Sequence, residues 1–372
     1  MTSRLRVGVL FGGRSAEHEV SILSARNVVD ALDPDRYEPV LVGIDPAGRW
    51  SLQSRAVLGA AQDALLVRLN PAAPSVVLEP TPRGRELAAA GGGPGGLDLD
   101  VVFPVLHGPM GEDGTVQGLL ELAGLPYVGA GVLGSAVGMD KDVMKRLLRD
   151  AGLPVGRFVA LRKSDFLRDP GRACELAAGL GFPLFTKPAN LGSSVGISRV
   201  PDRSGLEAAL AHSFEFDTKA LAEARIVGRE IECSVLGGDD PIASLPGEIV
   251  VSHGDQFYSY DAKYLDEHGA ELCIPAQLTP AQVAEVQRLA VASFQTLECH
   301  GLARVDFFLR EDGAFVVNEI NTLPGFTAIS MYPKLWEASG LGMRALVTRL
   351  IELALERHGQ RLLLRSSRDQ AR

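Results

Sequence analysis

Apolar residues near the start of the chain fall in short, dense runs separated by amphipathic stretches. Residues 7–11 (Val-Gly-Val-Leu-Phe) form one run, broken by Gly12-Gly13. Residues 15–30 then follow with helical periodicity. Further buried-type runs occur at 39–44 and 101–106, and a helical pattern over 114–123 is closed by Gly124 and Pro126. Strands alternating with helices predict a parallel α/β unit. The glycine-rich stretch 91–96 reads as a surface loop inserted in it.

The pattern changes in the middle of the chain. An amphipathic helix is expected over 142–150, ended by Gly152 and Pro154, then strand-like runs at 158–161, 183–187 and 196–200 and a helix over 204–211. These predict a small α+β unit. From 230 to 308 β-type alternation dominates, with helices expected over 280–297 and 342–357 and a polar, basic, frayed tail over 360–372. No internal repeat is present. The uncharged stretch 122–139 carries Pro126, Ser135 and five glycines, so it reads as loops and short buried strands and not as a membrane span.

Composition narrows the classes. The 372 residues suggest two or three domains at roughly 100–200 residues each. Hydrophobic residues at 46% and charged residues at 22% exclude a disordered, collagenous or coiled-coil chain. A formal net charge of -9 argues against a nucleic-acid partner, because phosphate neutralisation needs a basic face. Any anionic ligand must therefore meet locally placed cations. Cys174, Cys233, Cys273 and Cys299 stand singly, without metal-ligand or CxxC spacing, which points to a reducing compartment. The run 7–11 is too short for a signal-peptide core despite Arg4 and Arg6. A soluble, cytoplasmic protein with no membrane association is expected.

The most informative chemistry lies near the C-terminus. Residues 304–310 (Arg-Val-Asp-Phe-Phe-Leu-Arg) alternate with period two, with Val305, Phe307 and Leu309 apolar. After the turn signal Glu311-Asp312-Gly313, a second strand over 315–321 ends in Glu319-Ile-Asn321. Alternation groups Arg304 with Asp306 and Glu319 with Asn321, and a turn over 311–314 sets Asp306 opposite Glu319. Like charges there are destabilising, so two carboxylates and an amide suggest a hard cation, most simply Mg²⁺ shared with substrate phosphates. The competing reading is a solvated face neutralised by Arg304 and Arg310. The tight turn Thr322-Leu-Pro-Gly325-Phe-Thr, offering backbone donors beside the acids, favours the metal site.

A second constellation is Lys187-Pro-Ala-Asn-Leu-Gly192-Ser193-Ser194-Val-Gly196, a strand end followed by small residues whose amides and hydroxyls suit phosphate oxygens. Neither a Walker A pattern nor a GxGxxG opening a helix occurs. Gly192-Ser-Ser194-Val-Gly196 also matches the G-x-S-x-G nucleophile elbow, but that motif needs a helix after the serine, and here a β-like run and Pro201 follow. An unliganded hairpin turn remains a third reading. Lys187 and Lys141 supply the local cations that the net charge demands.

With these residues assembled, the chain resembles the D-alanine–D-alanine ligases, ATP-grasp enzymes of bacterial cell-wall synthesis. The resemblance covers nearly the whole chain. It rests on Gly12-Gly-Arg-Ser-Ala-Glu17-His-Glu-Val-Ser, His107-Gly-Pro-Met-Gly-Glu-Asp-Gly-Thr-Val-Gln-Gly118, Met139-Asp-Lys141, the Lys187 loop, Tyr260-Asp-Ala-Lys263-Tyr264, and Arg304-Val-Asp306 with Glu319-Ile-Asn-Thr-Leu-Pro-Gly325. It implies a mixed α/β and α+β architecture of the ATP-grasp kind. An N-terminal α/β substrate domain would span 1–129, a central domain 130–226, and a C-terminal domain with metal site and lid 227–372.

The resemblance also implies roles. Lys141 and Lys187 would contact ATP phosphates, with the loop around Ser193 and Ser194 closing over them. Glu223, with backbone through Ile226, would hold adenine, and Glu230 the ribose. Asp306, Glu319 and Asn321 would bind two Mg²⁺ (or Mn²⁺) ions. Glu17 would take the ammonium of the first D-alanine with His107 nearby, and Ser330 and Met331 the carboxylate of the second. Arg304 and the Gly325 amide would stabilise the developing oxyanion. Residues 254–264 would form a lid in which Lys263 joins the ATP site and Tyr264 links through Ser193 to Glu17. For an isolated His107 or Glu17, a satisfied loop histidine or a helix-capping carboxylate is the competing reading. One departure is Ala224, where many relatives carry lysine. The alternatives are a sibling D-Ala–D-lactate or D-Ala–D-serine ligase and a non-catalytic nucleotide-binding regulator. The pair Lys263-Tyr264 favours the dipeptide enzyme, and a homodimer is the assembly common among relatives.

Overall fold

In the computed structural model, which describes residues 4–59, 68–79, 86–90, 97–251 and 270–364, the first apolar run becomes a buried strand, β1 (Leu5–Gly12). It pairs in parallel with β2 (Tyr37–Ile44), and β2 pairs antiparallel with the short edge strand β3 (Trp50–Leu52). A small antiparallel sheet, β4 (Val76–Glu79), β5 (Glu86–Ala89) and β6 (Leu97–Asp98), lies beside them. β7 (Val101–Val105) is parallel to β1 and completes the order β3-β2-β1-β7. Both faces of this sheet are covered, as its unbroken apolar runs require. Val7, Val9 and Phe11 face the helix His18–Ala31, and Leu10, Val42 and Val102 face Val116 and Leu120 of the helix Thr115–Leu122.

The stretch 122–139 departs from the sequence expectation, because Val132–Met139 is a helix. Its glycines are packing residues and not breakers. A side chain at Gly134 would stand 2.5 Å from the Glu298 carbonyl, and one at Gly138 2.7 Å from the Thr322 methyl. Four residues apart, they make one smooth helical face that docks closely on the C-terminal sheet.

The central unit is an antiparallel sheet of β8 (Phe158–Arg162), β9 (Leu184–Pro188), β10 (Ser198–Val200) and β11 (Lys219–Ala224), in the order β10-β9-β11-β8. One face buries Leu184, Val200, Ala220 and Ala222 against Ala173, Ala177, Leu206 and Leu210 of the helices Pro170–Ala178 and Leu206–Phe216. Alternation turns Phe185, Lys187, Leu221 and Glu223 to the other face. The helices Lys163–Arg168 and Pro170–Ala178 and the strand β11 are absent from the sequence expectation, whereas β8, β9, β10 and the helix Leu206–Phe216 overlap their expected ranges.

The C-terminal sheet contains β12 (Arg229–Gly237), β13 (Ile242–Ala243), β14 (Gly247–Val251), β15 (Ala270–Cys273), β16 (Gly301–Leu309) and β17 (Phe315–Asn321). Its order is β15-β14-β12-β16-β17, with β13 paired to β12. Ile231, Cys233, Val305 and Phe307 pack beneath the helix Pro280–Thr296, together with Met144 and Leu148 of the helix Lys141–Asp150. The helices Met331–Ala338 and Met343–Leu362 return to cover the N-terminal sheet, so Tyr332, Trp336 and Leu350 share a core with Val7 and Phe11. The end of the chain is thereby packed onto its start.

The β16–β17 register carries the fold's main functional consequence. Leu309 pairs with Phe315 and Phe307 with Val317, but Asp306 pairs with Glu319, because a bulge lies between the two regions. Strict alternation would place Glu319 and Asn321 on the core side with Phe315 and Val317. The extra residue, Asn318, lets Asn318 and Glu319 both leave the core, and Asn321 follows. The sequence reading paired Asp306 with Glu319 by assuming a longer turn; the bulge is what does it.

Gly12 ends β1 with φ of +90°, and a side chain there would collide with the Ile44 carbonyl. Gly12→Ala is expected to lower stability by about 2 kcal/mol or more, read as a drop in denaturant midpoint at unchanged slope.

Candidate active site

Lys187 and Glu223, backed by the buried Lys145, form the inner end of a cleft between the central and C-terminal sheets. Lys187 on β9 and Glu223 on β11 share the open face of the central sheet, and Lys187 Nζ lies 2.8 Å from Glu223 Oε2. Lys145, absent from the sequence reading, approaches Glu223 Oε1 at 3.3 Å. Burial disfavours the Glu223 charge, but Lys145 and Lys187 outweigh it and hold the carboxyl below its ordinary range.

The helix Lys141–Asp150 starts where Asp140 accepts from the Asp142 and Val143 amides, each at 3.1 Å. Asp140 is itself held by Lys219 at 2.5 Å, and Asp142 by the same lysine at 3.2 Å. This fixes Lys141 at the cleft, where its Nζ donates to the Leu191 carbonyl at 2.6 Å and lies 3.4 Å from Glu319 Oε2.

The glycine-serine loop is a hairpin loop between β9 and β10, with no helix after the serine. That removes the nucleophile-elbow reading. Ser193 and Ser194 adopt φ of 50° and 62°, a left-handed conformation that turns their hydroxyls and amides toward the cleft. Asn190 anchors the loop base through two 2.9 Å bonds to Asp217. Ser193 Oγ donates to Glu17 Oε1, joining the loop to the first unit. The cleft holds about 330 Å³; Lys141, Lys187, Ser193, Ser194, Glu223, Ile226, Glu230 and Glu319 all line it. Phe185 and Phe308 supply apolar walls, and Asn318 a further amide, none of them anticipated. Ala224 also lines it.

The carboxylate hairpin forms its other end. Across β12, β16 and β17, Glu232 pairs with Asp306 and Asp306 with Glu319, so three carboxylates stand in one row. Arg304 compensates them. Its guanidinium binds Asp306 through two bonds of 2.7 and 2.8 Å, and Nε lies 2.9 Å from Glu232. Burial opposes the Arg304 charge, yet Asp306 and Glu232 leave it firmly protonated. The Asn321 amide lies 3.0 Å from Asp306. Glu232 escaped the sequence reading because its partner is set by β12–β16 pairing across more than 70 residues; the signal was a second carboxylate two positions after Glu230. Among the described residues no three His, Cys, Asp or Glu side chains are arranged as a metal cage. Asp306, Glu319 and Asn321 instead offer hard oxygens on one open face. That donor set suits Mg²⁺, which keeps much of its shell for phosphates and water.

The first unit grips the turn after this hairpin. His107 Nδ1 lies 3.1 Å from the Leu323 carbonyl, and its Nε2 3.4 Å from Ser24 Oγ. Ser24 accepts from the Phe326 amide at 3.1 Å, and Asn27 donates to the Phe326 carbonyl at 2.8 Å. Burial pushes the His107 pKa down against the opposing Glu17 charge, which keeps the imidazole neutral. Gly325 sits beside Ser330, whose Oγ would be 2.7 Å from any side chain at 325. Ser330 accepts from the Thr327 amide at 3.0 Å, and Met331 is buried at the start of the helix Met331–Ala338. Lys263, Tyr264 and the whole expected lid over 254–264 lie outside the described residues. The cysteines are free, and among the described residues no helix is long and apolar enough to cross a membrane.

A cleft between two α+β units, with Lys187 at one end and a carboxylate hairpin at the other, matches the ATP-grasp class. The comparisons give the particular family. Residues 6–130 match the model of the D-ala D-ala ligase N-terminus, and residues 147–352 that of the C-terminus. The chain is 51% identical over 356 residues to D-alanine–D-alanine ligase A of Escherichia coli K12, covering 95% of this chain and 97% of that protein. It is 50% identical to the Oceanobacillus iheyensis D-alanine–D-alanine ligase, covering 98% of each. Among solved structures, the D-alanine-D-alanine ligase from Coxiella burnetii superposes with a TM-score of 0.83 at 39% identity, covering 96% of both chains. The VanG D-Ala:D-Ser ligase from Enterococcus faecalis also gives 0.83, at 34% identity over 95% of this chain and 100% of that one. The chain belongs to the D-alanine–D-alanine ligase family and is an enzyme of that class.

Glu112 accepts the Gly108 amide at 2.7 Å, and its pKa is pushed up to about 8, first by burial and then by the Glu17 charge. The folded protein therefore keeps a proton that the unfolded chain releases near 4.5, so this group costs stability increasingly as pH rises from about 4.5 to about 8. Glu112→Gln is expected to flatten the fall in melting temperature over that window; an unchanged pH profile would contradict the assignment.

Proposed function

We propose that this protein joins two D-alanine molecules into D-alanyl-D-alanine, converting ATP to ADP and phosphate through an acyl-phosphate intermediate. The observation that carries this reading is about 51% identity to D-alanine–D-alanine ligases along nearly the whole chain, in a fold that gathers Lys141, Lys187, Ser193, Ser194, Glu223 and Glu319 around one cleft.

The roles follow from chemistry. Adenine would sit between the Phe185 and Phe308 walls, its amine meeting Glu223 and its ring the Ile226 backbone, with Glu230 at the ribose. Lys141 and Lys187 would receive the phosphates, and the Ser193–Ser194 loop would cover them. Asp306, Glu319 and Asn321 would hold Mg²⁺ or Mn²⁺, which supplies charge neutralisation to the phosphates when bound. Glu17 would bind the first D-alanine ammonium and set its carboxylate toward the γ-phosphate. Neutral His107 would hold the turn that presents the Gly325 amide. Ser330 and Met331 would orient the second D-alanine, whose amine attacks the acyl carbon and displaces phosphate. Arg304 and the Gly325 amide would stabilise the oxyanion formed on the way. Lys263 and Tyr264 would act from the lid, which excludes the water that hydrolyses an acyl phosphate.

The Ser193–Glu17 bond gives the loop a part in this order of events. It ties the cover of the nucleotide to the carboxylate of the first amino-acid site. A core of its own supports a central domain within 130–226, whereas the proposed domains 1–129 and 227–372 share a core through Val7, Phe11, Tyr332 and Leu350, and Met144 and Leu148 join the C-terminal core. A cytoplasmic homodimer completes the proposal, with the free cysteines in keeping with a reducing compartment.

Mixing the protein with ATP, Mg²⁺ and D-alanine should release phosphate in step with D-alanyl-D-alanine. Failure with D-alanine alone, coupled to turnover when D-serine or D-lactate is added, would move the assignment to a sibling ligase. Ser193→Ala should lower kcat/KM for D-alanine by about tenfold or more, at a smaller cost in ATP affinity.

A further inference from the structure

Lys145 is a buried ammonium for which the reaction above has no use. Its side chain is among the largest fully buried ones and is 1% exposed. It does not line the cleft, whereas Lys141, one helical turn earlier, and Lys187 both do. Enclosing an ammonium costs stability unless a partner returns it, and the partner here is Glu223 Oε1 at 3.3 Å. Burial pushes the Lys145 pKa down, with Glu223 opposing the shift. Glu223 thus faces two ammonium groups, the sealed Lys145 on Oε1 and the cleft-lining Lys187 on Oε2 at 2.8 Å.

The two lysines are not equivalent. Lys187 sits where it can exchange Glu223 for an arriving phosphate oxygen. If it were the sole counter-ion, binding a nucleotide would strip Glu223 of its charge partner in a buried position, and Lys187 would be held back from the phosphates. We propose that Lys145 is a positioning residue for ATP: as the permanent counter-ion of Glu223 it keeps that carboxylate aimed at the 6-amino group and frees Lys187 for the phosphates. This rests on the nucleotide reading of the cleft given above. The i,i+4 spacing of Lys141 and Lys145 explains how one helix serves both ends of the nucleotide. Lys141 turns toward Leu191 and Glu319, and Lys145 passes behind the cleft floor to Glu223.

The test is steady-state kinetics of Lys145→Met, Glu223→Gln and the double variant, with ATP and with ITP, whose 6-oxo group donates nothing to a carboxylate. Lys145→Met is expected to raise KM for ATP about tenfold or more and to shrink the ATP-over-ITP preference by a similar factor. KM for D-alanine should stay within about twofold, a split that general loosening of the fold would not produce. Lys145→Met with unchanged ATP KM and preference would overturn the inference. Because that variant leaves Glu223 with a single partner and is open to misfolding, the double variant is the control, having neither buried charge. If Lys145 acts through Glu223, the double variant matches Glu223→Gln in ATP KM and in base preference; a further tenfold loss would overturn it. A Glu223→Gln enzyme indistinguishable from wild type with ATP would instead remove the nucleotide reading itself, and this inference with it.

Discussion

Three carboxylates in one row across adjacent strands are a standing electrostatic cost, and much of the molecule is arranged around it. Glu232, Asp306 and Glu319 face one another on β12, β16 and β17, where like charges repel. Arg304 answers two of them and Lys141 approaches the third. Lys141 is there because Asp140 caps its helix and Lys219 restrains Asp140. A divalent cation with its phosphates is the chemistry that such a row accepts. The overall charge of -9 says little about the cleft, whose cations are few and individually placed.

The other organising relation is between units distant in sequence. His107, Ser24 and Asn27 of the first unit hold the backbone of Leu323 and Phe326, in the turn just after Asn321. The C-terminal helices close a shared core with β1. The first and last parts of the chain thus form one scaffold carrying the hairpin. The central sheet, with its own core, presents Lys187 and Glu223 from the opposite side. Ser193 then links this opposite wall to Glu17 on the scaffold.

Much of this was legible in the sequence, for identifiable reasons. A dense apolar run marked β1, period-two alternation marked β16, and the small residues of 192–196 marked a hairpin loop. What escaped depended on tertiary context. Gly134 and Gly138 resemble helix breakers until the Glu298 carbonyl and the Thr322 methyl are seen against them. The bulge at Asn318 has no local signature, although it alone brings Glu319 and Asn321 off the core side. Lys145 and Glu232 look like ordinary surface charges, and only packing shows them buried. Motif spacing found residues that line the cleft, such as Lys187, Ser193 and Glu319, far better than those packed behind it, such as Lys145.

The role proposed for the hairpin acids is to hold a divalent cation against nucleotide phosphates. Thermal unfolding with ADP, with and without Mg²⁺, tests it most directly in the wild-type protein and in Glu319→Gln. The expected result is a melting temperature that Mg²⁺ raises by several degrees in the wild type when ADP is present and leaves nearly unchanged in Glu319→Gln. An equal Mg²⁺-dependent rise in both proteins would contradict it.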